Sequence, residues 1–108
     1  MSRGIVNPRS PESEVNSLFT DRWSPRAFRS TPLTPAQRNA LFEAVRWTPS
    51  CYNDQPWLFL YAESEADRDL FAKALVEKNR QWAQAAPLLL YVLVRRHFNG
   101  SELENRHA

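Results

Sequence analysis

The sequence lacks the features that identify disulfide-bonded, membrane-spanning, secreted and metal-binding proteins. It contains one cysteine, Cys51, in 108 residues, so no disulfide can form within the chain and a reducing compartment is expected. Its longest apolar run, from Leu88 to Val94, is far too short to cross a bilayer, and the N-terminus lacks the apolar stretch of a secretory signal. The two histidines stand in a polar tail without the spacing of metal ligands. We therefore expect a cytoplasmic protein that holds no metal.

A strong excess of one charge is also missing. Fourteen basic residues face 12 acidic ones, which gives a net charge of +2. Nucleic-acid-binding domains usually show a stronger and more clustered basic surface, whereas a small phosphate-bearing ligand needs only a few cations. Four tryptophans and several arginines leave a binder of single-stranded nucleic acid as a remote alternative. The apolar share of 43% and the charged share of 24% indicate an ordinary globular protein of one domain at most.

Caps and prolines predict the helices. A loose leader, residues 1–10, precedes a helix that we expect to begin at Ser10, with proline in its first turn. A second helix begins at Thr34 with a capping box and stops before Pro49, and a third begins at Ser64. A short fourth helix runs from about Trp82 to Pro87. The buried faces that we expect are Leu41, Ala44, Val45 and Thr48 on the second helix and Leu70, Phe71, Ala74 and Leu75 on the third.

Two apolar runs of strand length, Trp57 to Ala62 and Leu88 to Val94, predict strands that are covered on both faces. Their connection through helices favours a parallel crossover. A two-stranded sheet is marginal alone and needs covering layers and neighbouring strands. Either another chain supplies these or the sequence is part of a longer one. Residues 95–108 form a polar tail in which we identify no terminating element.

The first candidate site is the run from Arg22 to Arg26. Pro25 favours an extended backbone, which would place the side chains of Arg22, Ser24 and Arg26 on one face. Two guanidinium groups and a hydroxyl suit a phosphate dianion, because arginine binds phosphate through paired, charge-assisted hydrogen bonds. The alternative is three solvated polar residues that follow a helix.

The second candidate is the polar loop from Pro49 to Trp57, which two prolines enclose and which leads into a buried strand. Asn53 and Gln55 each donate and accept hydrogen bonds, so they could read the edge of a heterocycle; alternatively they satisfy backbone groups of the loop itself. Cys51 has no cationic partner fixed beside it, which argues against a catalytic thiol. The third candidate is the run from Asn79 to Trp82. Asn79 could face a ligand there, whereas Trp82 is most simply a core residue.

Together these runs resemble the nitroreductase superfamily, and the resemblance covers the chain from about Glu14 to Val94. The loop pattern P-S-x-x-N-x-Q-P-W is its most specific part. The matching motifs, which follow in order at the expected separations, are Arg22-x-Ser24-x-Arg26, Trp47-Thr48-Pro49-Ser50-Cys51-Tyr52-Asn53-Asp54-Gln55-Pro56-Trp57 and Asn79-x-x-Trp82-Ala83-x-x-Ala86-Pro87.

The resemblance implies a homodimeric α+β flavoprotein with a mainly antiparallel sheet and FMN at the subunit interface. Arg22, Ser24 and Arg26 would hold the flavin phosphate and ribityl chain, the loop would reach the flavin of the opposite subunit, and Asn79 would bond near the isoalloxazine. Cys51 replaces the usual serine, which puts a hydroxyl contact there in doubt. The cofactor-binding residues expected in this way are Arg22, Trp23, Ser24, Arg26, Pro49, Ser50, Cys51, Asn53 and Asn79.

The function implied is hydride transfer from NAD(P)H through FMN to a nitroaromatic, a quinone or a similar acceptor. The cofactor carries this chemistry, so no side chain is expected to act as a catalytic acid or base. The resemblance also implies that residues 1–108 are the N-terminal part of one domain and are inactive alone, and two strands without neighbours agree with this expectation. The alternative is a non-catalytic remnant or interaction fragment that binds no flavin.

Overall fold

The computed structural model describes residues 7–108 and centres on an antiparallel pair of strands. Strand β1 (Trp57–Ala62) pairs with β2 (Leu89–Val94) in a register that runs from Trp57 opposite Val94 to Ala62 opposite Leu89. The predicted strand bounds are confirmed to within one residue, and so is the antiparallel direction implied by the resemblance. The parallel crossover favoured by patterning is wrong, because an apolar run fixes how deeply a strand is buried and not its direction.

The helices begin where side chains cap them. Their bounds are α1 (Ser17–Asp21), α2 (Pro35–Arg46), α3 (Glu65–Ala72) and α4 (Glu77–Ala83), with one 3-10 turn at Cys51–Asn53. Thr34 Oγ1 accepts from the Gln37 N–H at 3.2 Å, while Gln37 Oε1 accepts from the Thr34 N–H at 2.9 Å. Ser64 Oγ accepts from the Asp67 N–H at 3.2 Å. Both predicted caps are therefore confirmed.

The first helix does not begin at Ser10, as predicted, but at Ser17. Its cap is Asn16, whose Oδ1 accepts from the Leu18 N–H at 2.9 Å. The helix has five residues, and its apolar side chains stay exposed, Phe19 by 71%. Short helices are marginal unless an apolar face packs, so a favourable cap at Ser10 was not enough to extend this one.

The predicted leader falls partly outside the described residues, since residues 1–6 lie there. Of the remainder, Asn7 Nδ2 and Arg9 Nη1 donate to the carbonyl oxygen of Thr20 at 2.8 and 2.7 Å. These bonds satisfy a carbonyl in the last turn of α1, a group that helix geometry leaves without an internal partner.

The packed face of α2 is rotated from the predicted one. Phe42 lies over the sheet, with its ring centroid 6.4 Å from that of Phe59 and 5.3 Å from that of Tyr61. Val45 is half-buried as predicted, but Leu41 is 46% exposed. One residue corresponds to about 100° around a helix, so Phe42 displaces Leu41 from the sheet. The helix ends at Arg46, and Thr48 lies beyond it.

The third helix shows a similar correction. Ala72 is its buried residue, while Leu70 is exposed and Ala74 lies past the helix end. Phe71 was predicted correctly, since its ring stacks on Tyr91 with centroids 4.7 Å apart. The buried apolar side chains of the described chain are small, namely Ala62, Ala72, Ala83 and Ala86.

The sheet keeps uncovered apolar surface on both faces. Leu58 and Leu93 are exposed on one face, and Val92 and Val94 on the other. The accessible surface is 9547 Å², whereas about 6,200 Å² is usual for a folded chain of this mass. The radius of gyration of 17.5 Å likewise exceeds the roughly 13 Å of a compact domain. The prediction that these strands need further covering layers therefore agrees with the structure.

Candidate functional site

The loop from Pro49 to Trp57 adopts an unusual backbone. Tyr52, Asn53 and Gln55 have φ angles of 54°, 52° and 47°, in the left-handed region. Asparagine tolerates this region, but tyrosine and glutamine seldom enter it. Such residues cost about 1–3 kcal/mol each and persist only where the surroundings impose them, most often at functional sites.

Part of the loop is held by its own side chains. The Gln55 N–H donates to Ser50 Oγ at 3.0 Å, and Gln55 Nε2 donates to Asn53 Oδ1 at 2.8 Å. The alternative role, bonding within the loop itself, is therefore seen in the structure, and the role toward a heterocycle stays a prediction. Within residues 7–108, the Asn53 amide hydrogens and the Gln55 amide oxygen make no hydrogen bond. One donor group and one acceptor are thus left for a ligand.

The rest of the loop is fastened by the polar tail. Arg95 Nη2 donates to Oδ2 of Asp54 at 2.9 Å, and the Asn99 N–H donates to its Oδ1 at 2.9 Å. We call these contacts the Asp54 clasp. The Asp54 side chain is only 6% exposed. Hydrogen bonds from Asn99 and then Arg95 lower the pKa of Asp54 below its usual 3.8, although burial acts in the opposite direction.

Sequence reasoning missed the clasp, because residues 95–108 read only as a polar tail. In the structure His97 bridges to Glu104, and Gly100 turns the chain with a φ of 68°. The ring of Phe98 meets the edge of Tyr52 with centroids 5.9 Å apart. A signal was present: once β1 and β2 are taken as antiparallel, the residues just before β1 and just after β2 must lie at one end of the sheet.

The segment from Arg22 to Arg26 presents uncompensated cations. Arg22 is extended, with φ −70° and ψ 134°, and its Nη1 lies 3.5 Å from Ser24 Oγ. Two of the three predicted phosphate ligands thus lie side by side. Residues 7–108 provide no carboxylate partner for Arg22 or Arg26, whereas Arg95 pairs with Asp54. A guanidinium beside a hydroxyl, with a second arginine, unpaired within that range, two residues further on, is a donor set that fits a phosphate.

The remaining candidates lie in different surroundings. The fourth helix was predicted to run from about Trp82 to Pro87 but spans Glu77–Ala83, so Asn79 lies exposed on α4. Trp82 is half-buried and stacks on Phe28 with centroids 6.0 Å apart, as expected of a core residue. Trp23 and Pro49 are exposed, and Cys51 is a half-buried free thiol.

Polar bonds do not join the three candidate clusters within residues 7–108. Among the described residues, no hydrogen bond or salt bridge links the 22–26 segment, the 49–57 loop and Asn79. That same part of the chain contains no group of three or more potential metal-binding side chains. None of its helices combines the length and the apolar character needed to cross a membrane.

Comparison with known proteins gives a consistent result. Residues 19–103 match the model of the nitroreductase family. A protein of Streptomyces coelicolor named as an NADH dehydrogenase/NAD(P)H nitroreductase is 30% identical over 92 residues, which are 85% of this chain and 46% of that protein. A protein of the same name from Rhodopseudomonas palustris is 25% identical over 89 residues, or 82% of this chain and 45% of its own.

A solved structure shares the fold as well. The crystal structure of an oxidoreductase containing FMN superposes with a TM-score of 0.82 at 40% sequence identity, covering 95% of this chain and 52% of that one. This chain therefore spans about half the length of the relatives that it matches.

Proposed function

The chain belongs to the nitroreductase family, and on that premise we propose that it is the N-terminal part of an FMN-dependent oxidoreductase. In this proposal a hydride passes from NAD(P)H, by way of FMN, to a nitroaromatic, a quinone or a similar acceptor. The observation that carries the proposal is the 49–57 loop, which keeps a strained backbone while it leaves an amide donor and an amide acceptor free. A solved relative that contains FMN supports it.

The 22–26 segment would hold the phosphate. Arg22 and Arg26 supply positive charge that no carboxylate neutralises within residues 7–108, and Ser24 supplies a hydroxyl beside Arg22. Paired charge-assisted hydrogen bonds from guanidinium groups would fix both the position and the orientation of the cofactor tail. Trp23, half exposed between them, would shield these contacts from water.

The loop and α4 would hold the flavin ring. When bound, FMN supplies the group that takes up and passes on the hydride. Asn53 would donate to the ring edge, with Pro49, Ser50 and Cys51 lining the approach, and Asn79 would bond at a second point. Orientation and exclusion of water are the contributions of these side chains, and none of them needs to exchange a proton.

We further propose that the assembled protein is a cytoplasmic homodimer with FMN at the interface. No hydrogen bond or salt bridge joins the three clusters within the described chain, which is compatible with one copy supplying the phosphate ligands and another the loop. The uncovered apolar faces of the sheet support contacts with further polypeptide. A single cysteine suits a reducing compartment.

The test is a comparison of FMN with riboflavin, which lacks the phosphate. The protein as its gene encodes it is titrated with each flavin, and the quenching of flavin fluorescence gives the affinity. We expect one FMN per chain, reduction of bound FMN by NAD(P)H, and riboflavin affinity at least about tenfold weaker, since charge-assisted bonds are lost. A colourless protein that binds neither flavin would instead be the non-catalytic remnant, and equal affinities would remove the phosphate assignment.

A further inference from the structure

We propose that Asp54 is a positioning residue for the flavin loop, through its clasp to Arg95 and to the Asn99 N–H. The clasp would hold the loop in the strained conformation that presents Asn53, so that flavin affinity depends on a residue that does not touch the flavin. This inference rests on the proposed function and deepens it.

The geometry shows how one residue can fix the loop. Asp54 lies between Asn53 and Gln55, two of the residues with positive φ. Its carboxylate accepts from Arg95 at 2.9 Å and from the Asn99 N–H at 2.9 Å, and its carbonyl oxygen accepts from Arg95 at 3.2 Å. Because the backbone and the side chain of Asp54 are both held, the peptide groups on its two sides have little freedom to leave the left-handed region.

The bonds within the loop do not anchor it to the rest of the fold. The Ser50–Gln55 and Asn53–Gln55 bonds join residues five and two positions apart, so they move together with the loop. The clasp reaches residues 41 and 45 positions further along the chain, just beyond β2. It thus ties the loop to the end of the sheet, where Arg95 also donates its backbone N–H to the Pro56 carbonyl at 2.8 Å.

Asp54 is placed to position the loop and not to bind the cofactor. Its side chain is 6% exposed, and both carboxylate oxygens already accept hydrogen bonds. A carboxylate in contact with FMN would also repel the phosphate charge. Asn105, which is 5% exposed, donates its backbone N–H to the Arg96 carbonyl at 2.8 Å, and its side chain contributes to the lowered pKa of Asp54.

A loosened loop lowers flavin affinity by a predictable amount. If only a fraction of the molecules hold the competent loop, the apparent dissociation constant rises by the inverse of that fraction. A tenfold loss of affinity therefore requires that the competent loop fall to about a tenth of the molecules, at which point amide protection of the loop is nearly gone. Turnover should recover once FMN is saturating, because the competent state itself is unchanged.

The experiment compares the wild type with Asp54→Asn, which keeps the shape and removes the charge, in the protein as its gene encodes it. Arg95→Gln breaks the same clasp from the other side, so a failure of one variant to fold leaves the other. The control is Asp69→Asn, an exposed carboxylate on α3. The readouts are the amide-exchange protection of Gln55 and Asn99 without FMN, the FMN affinity, and turnover at saturating FMN.

We expect Asp54→Asn and Arg95→Gln to lose nearly all protection at Gln55 and Asn99 without FMN and to bind FMN about tenfold more weakly. Turnover at saturating FMN should stay near that of the wild type, and Asp69→Asn should change nothing. Loss of protection with unchanged FMN affinity would overturn the inference, and so would unchanged protection. A wild type that binds no FMN would instead overturn the proposed function, and with it this inference.

A pH series tests whether the charge of Asp54, and not only the shape of its side chain, holds the loop. Since the folded pKa of Asp54 lies below its usual 3.8, the clasp is fully formed above that value and is lost as the pH falls through the folded pKa. Arg95 is the charged group that faces the carboxylate, and Asn99 and Asn105 are neutral. Protection at Gln55 should thus hold from about pH 8 to about pH 5 and fall below about 3.8 in the wild type. A pH profile in Asp54→Asn that matches the wild type would contradict the role of the charge.

Discussion

The two halves of the candidate site are built differently. The 49–57 loop is enclosed by contacts from its own amides, from Arg95 and from the tail, which together hold three residues at positive φ. The 22–26 segment makes few hydrogen bonds. Arg22 Nη1 lies 3.5 Å from Ser24 Oγ, and Arg9 donates to the Arg22 carbonyl. Helix α1, just before it, leaves its apolar side chains exposed.

The 49–57 loop is thus a preorganised surface, whereas the 22–26 segment is one that a ligand must order. Folding already holds the loop in the conformation that would contact the flavin ring. The arginine side chains, in contrast, would become ordered only when they bind the phosphate. Exposed long side chains lose rotamer freedom when they bind, but a phosphate dianion offers enough charge to offset that loss. The predictions below test whether the two halves behave in these two ways.

The largest effect expected is the loss of flavin binding when residues 1–108 are expressed alone. The chain spans about half the length of its relatives, and its exposed sheet faces would drive self-association. We therefore expect little bound FMN, no sustained NAD(P)H oxidation, and a mass in solution above that of a monomer. Absorbance, light scattering and a cuvette assay measure the three. A monomer that holds one FMN and turns over would refute this prediction.

Next in size are Arg22→Ala and Arg26→Ala, made in the protein as its gene encodes it. Each removes a charge-assisted bond of about 1.5–3 kcal/mol, so FMN affinity should fall about ten- to hundredfold. Riboflavin affinity should not change, because riboflavin has no phosphate. Arg29→Ala is the matched control, an exposed arginine three residues beyond Arg26. Unchanged FMN affinity in both variants would remove the phosphate assignment.

Phe42→Ala tests the packed region that supports the loop. Burying a phenylalanine fully is worth about 3–5 kcal/mol, and since Phe42 is half-buried we expect a loss of about 2 kcal/mol in the free energy of unfolding. Leu41→Ala, its neighbour on the exposed side of α2, should cost less than about 1 kcal/mol. Urea titration followed by circular dichroism measures both. Equal losses would mean that α2 packs through the face predicted from the sequence.

The smallest effect expected is that of Asn79→Ala. Asn79 is exposed on α4, so the substitution removes one neutral hydrogen bond to the flavin, worth about 0.5–1.5 kcal/mol, or up to about a tenfold loss in affinity. The fold should be unaffected. Asn53→Ala should also weaken FMN, but it additionally strains a residue at φ 52°. A fall in unfolding free energy for Asn79→Ala, with normal FMN binding, would make its role purely structural.

Much of the fold could be predicted from local chemistry. The caps at Thr34 and Ser64 and the bounds of both strands depend on neighbouring residues, and the structure confirms them. The predictions that were wrong depend on contacts between residues that lie far apart in the sequence. Whether Leu41 or Phe42 faces the sheet is decided by Phe59 and Tyr61 on another element, and periodicity alone cannot resolve one residue of rotation.

The candidate site divides in the same way. The residue types of the 22–26 segment and of the 49–57 loop identified both regions from the sequence, and their roles toward FMN remain predictions. The Asp54 clasp could not be found from spacing, because its partners lie 41 and 45 positions away. The positive φ angles of Tyr52 and Gln55 could not be predicted from the sequence either, since neither residue type favours a positive φ.

The most direct measurement is amide hydrogen exchange in the protein as its gene encodes it, with and without FMN, read separately in the two regions. We predict that the amides of Asn53, Asp54 and Gln55, which donate hydrogen bonds in the structure, are protected before FMN is added and change little afterwards. Residues 22–26 should exchange quickly in the free protein and gain at least about tenfold protection when FMN binds. A loop that is unprotected until FMN arrives, or a 22–26 segment that FMN leaves unchanged, would contradict this account of the site.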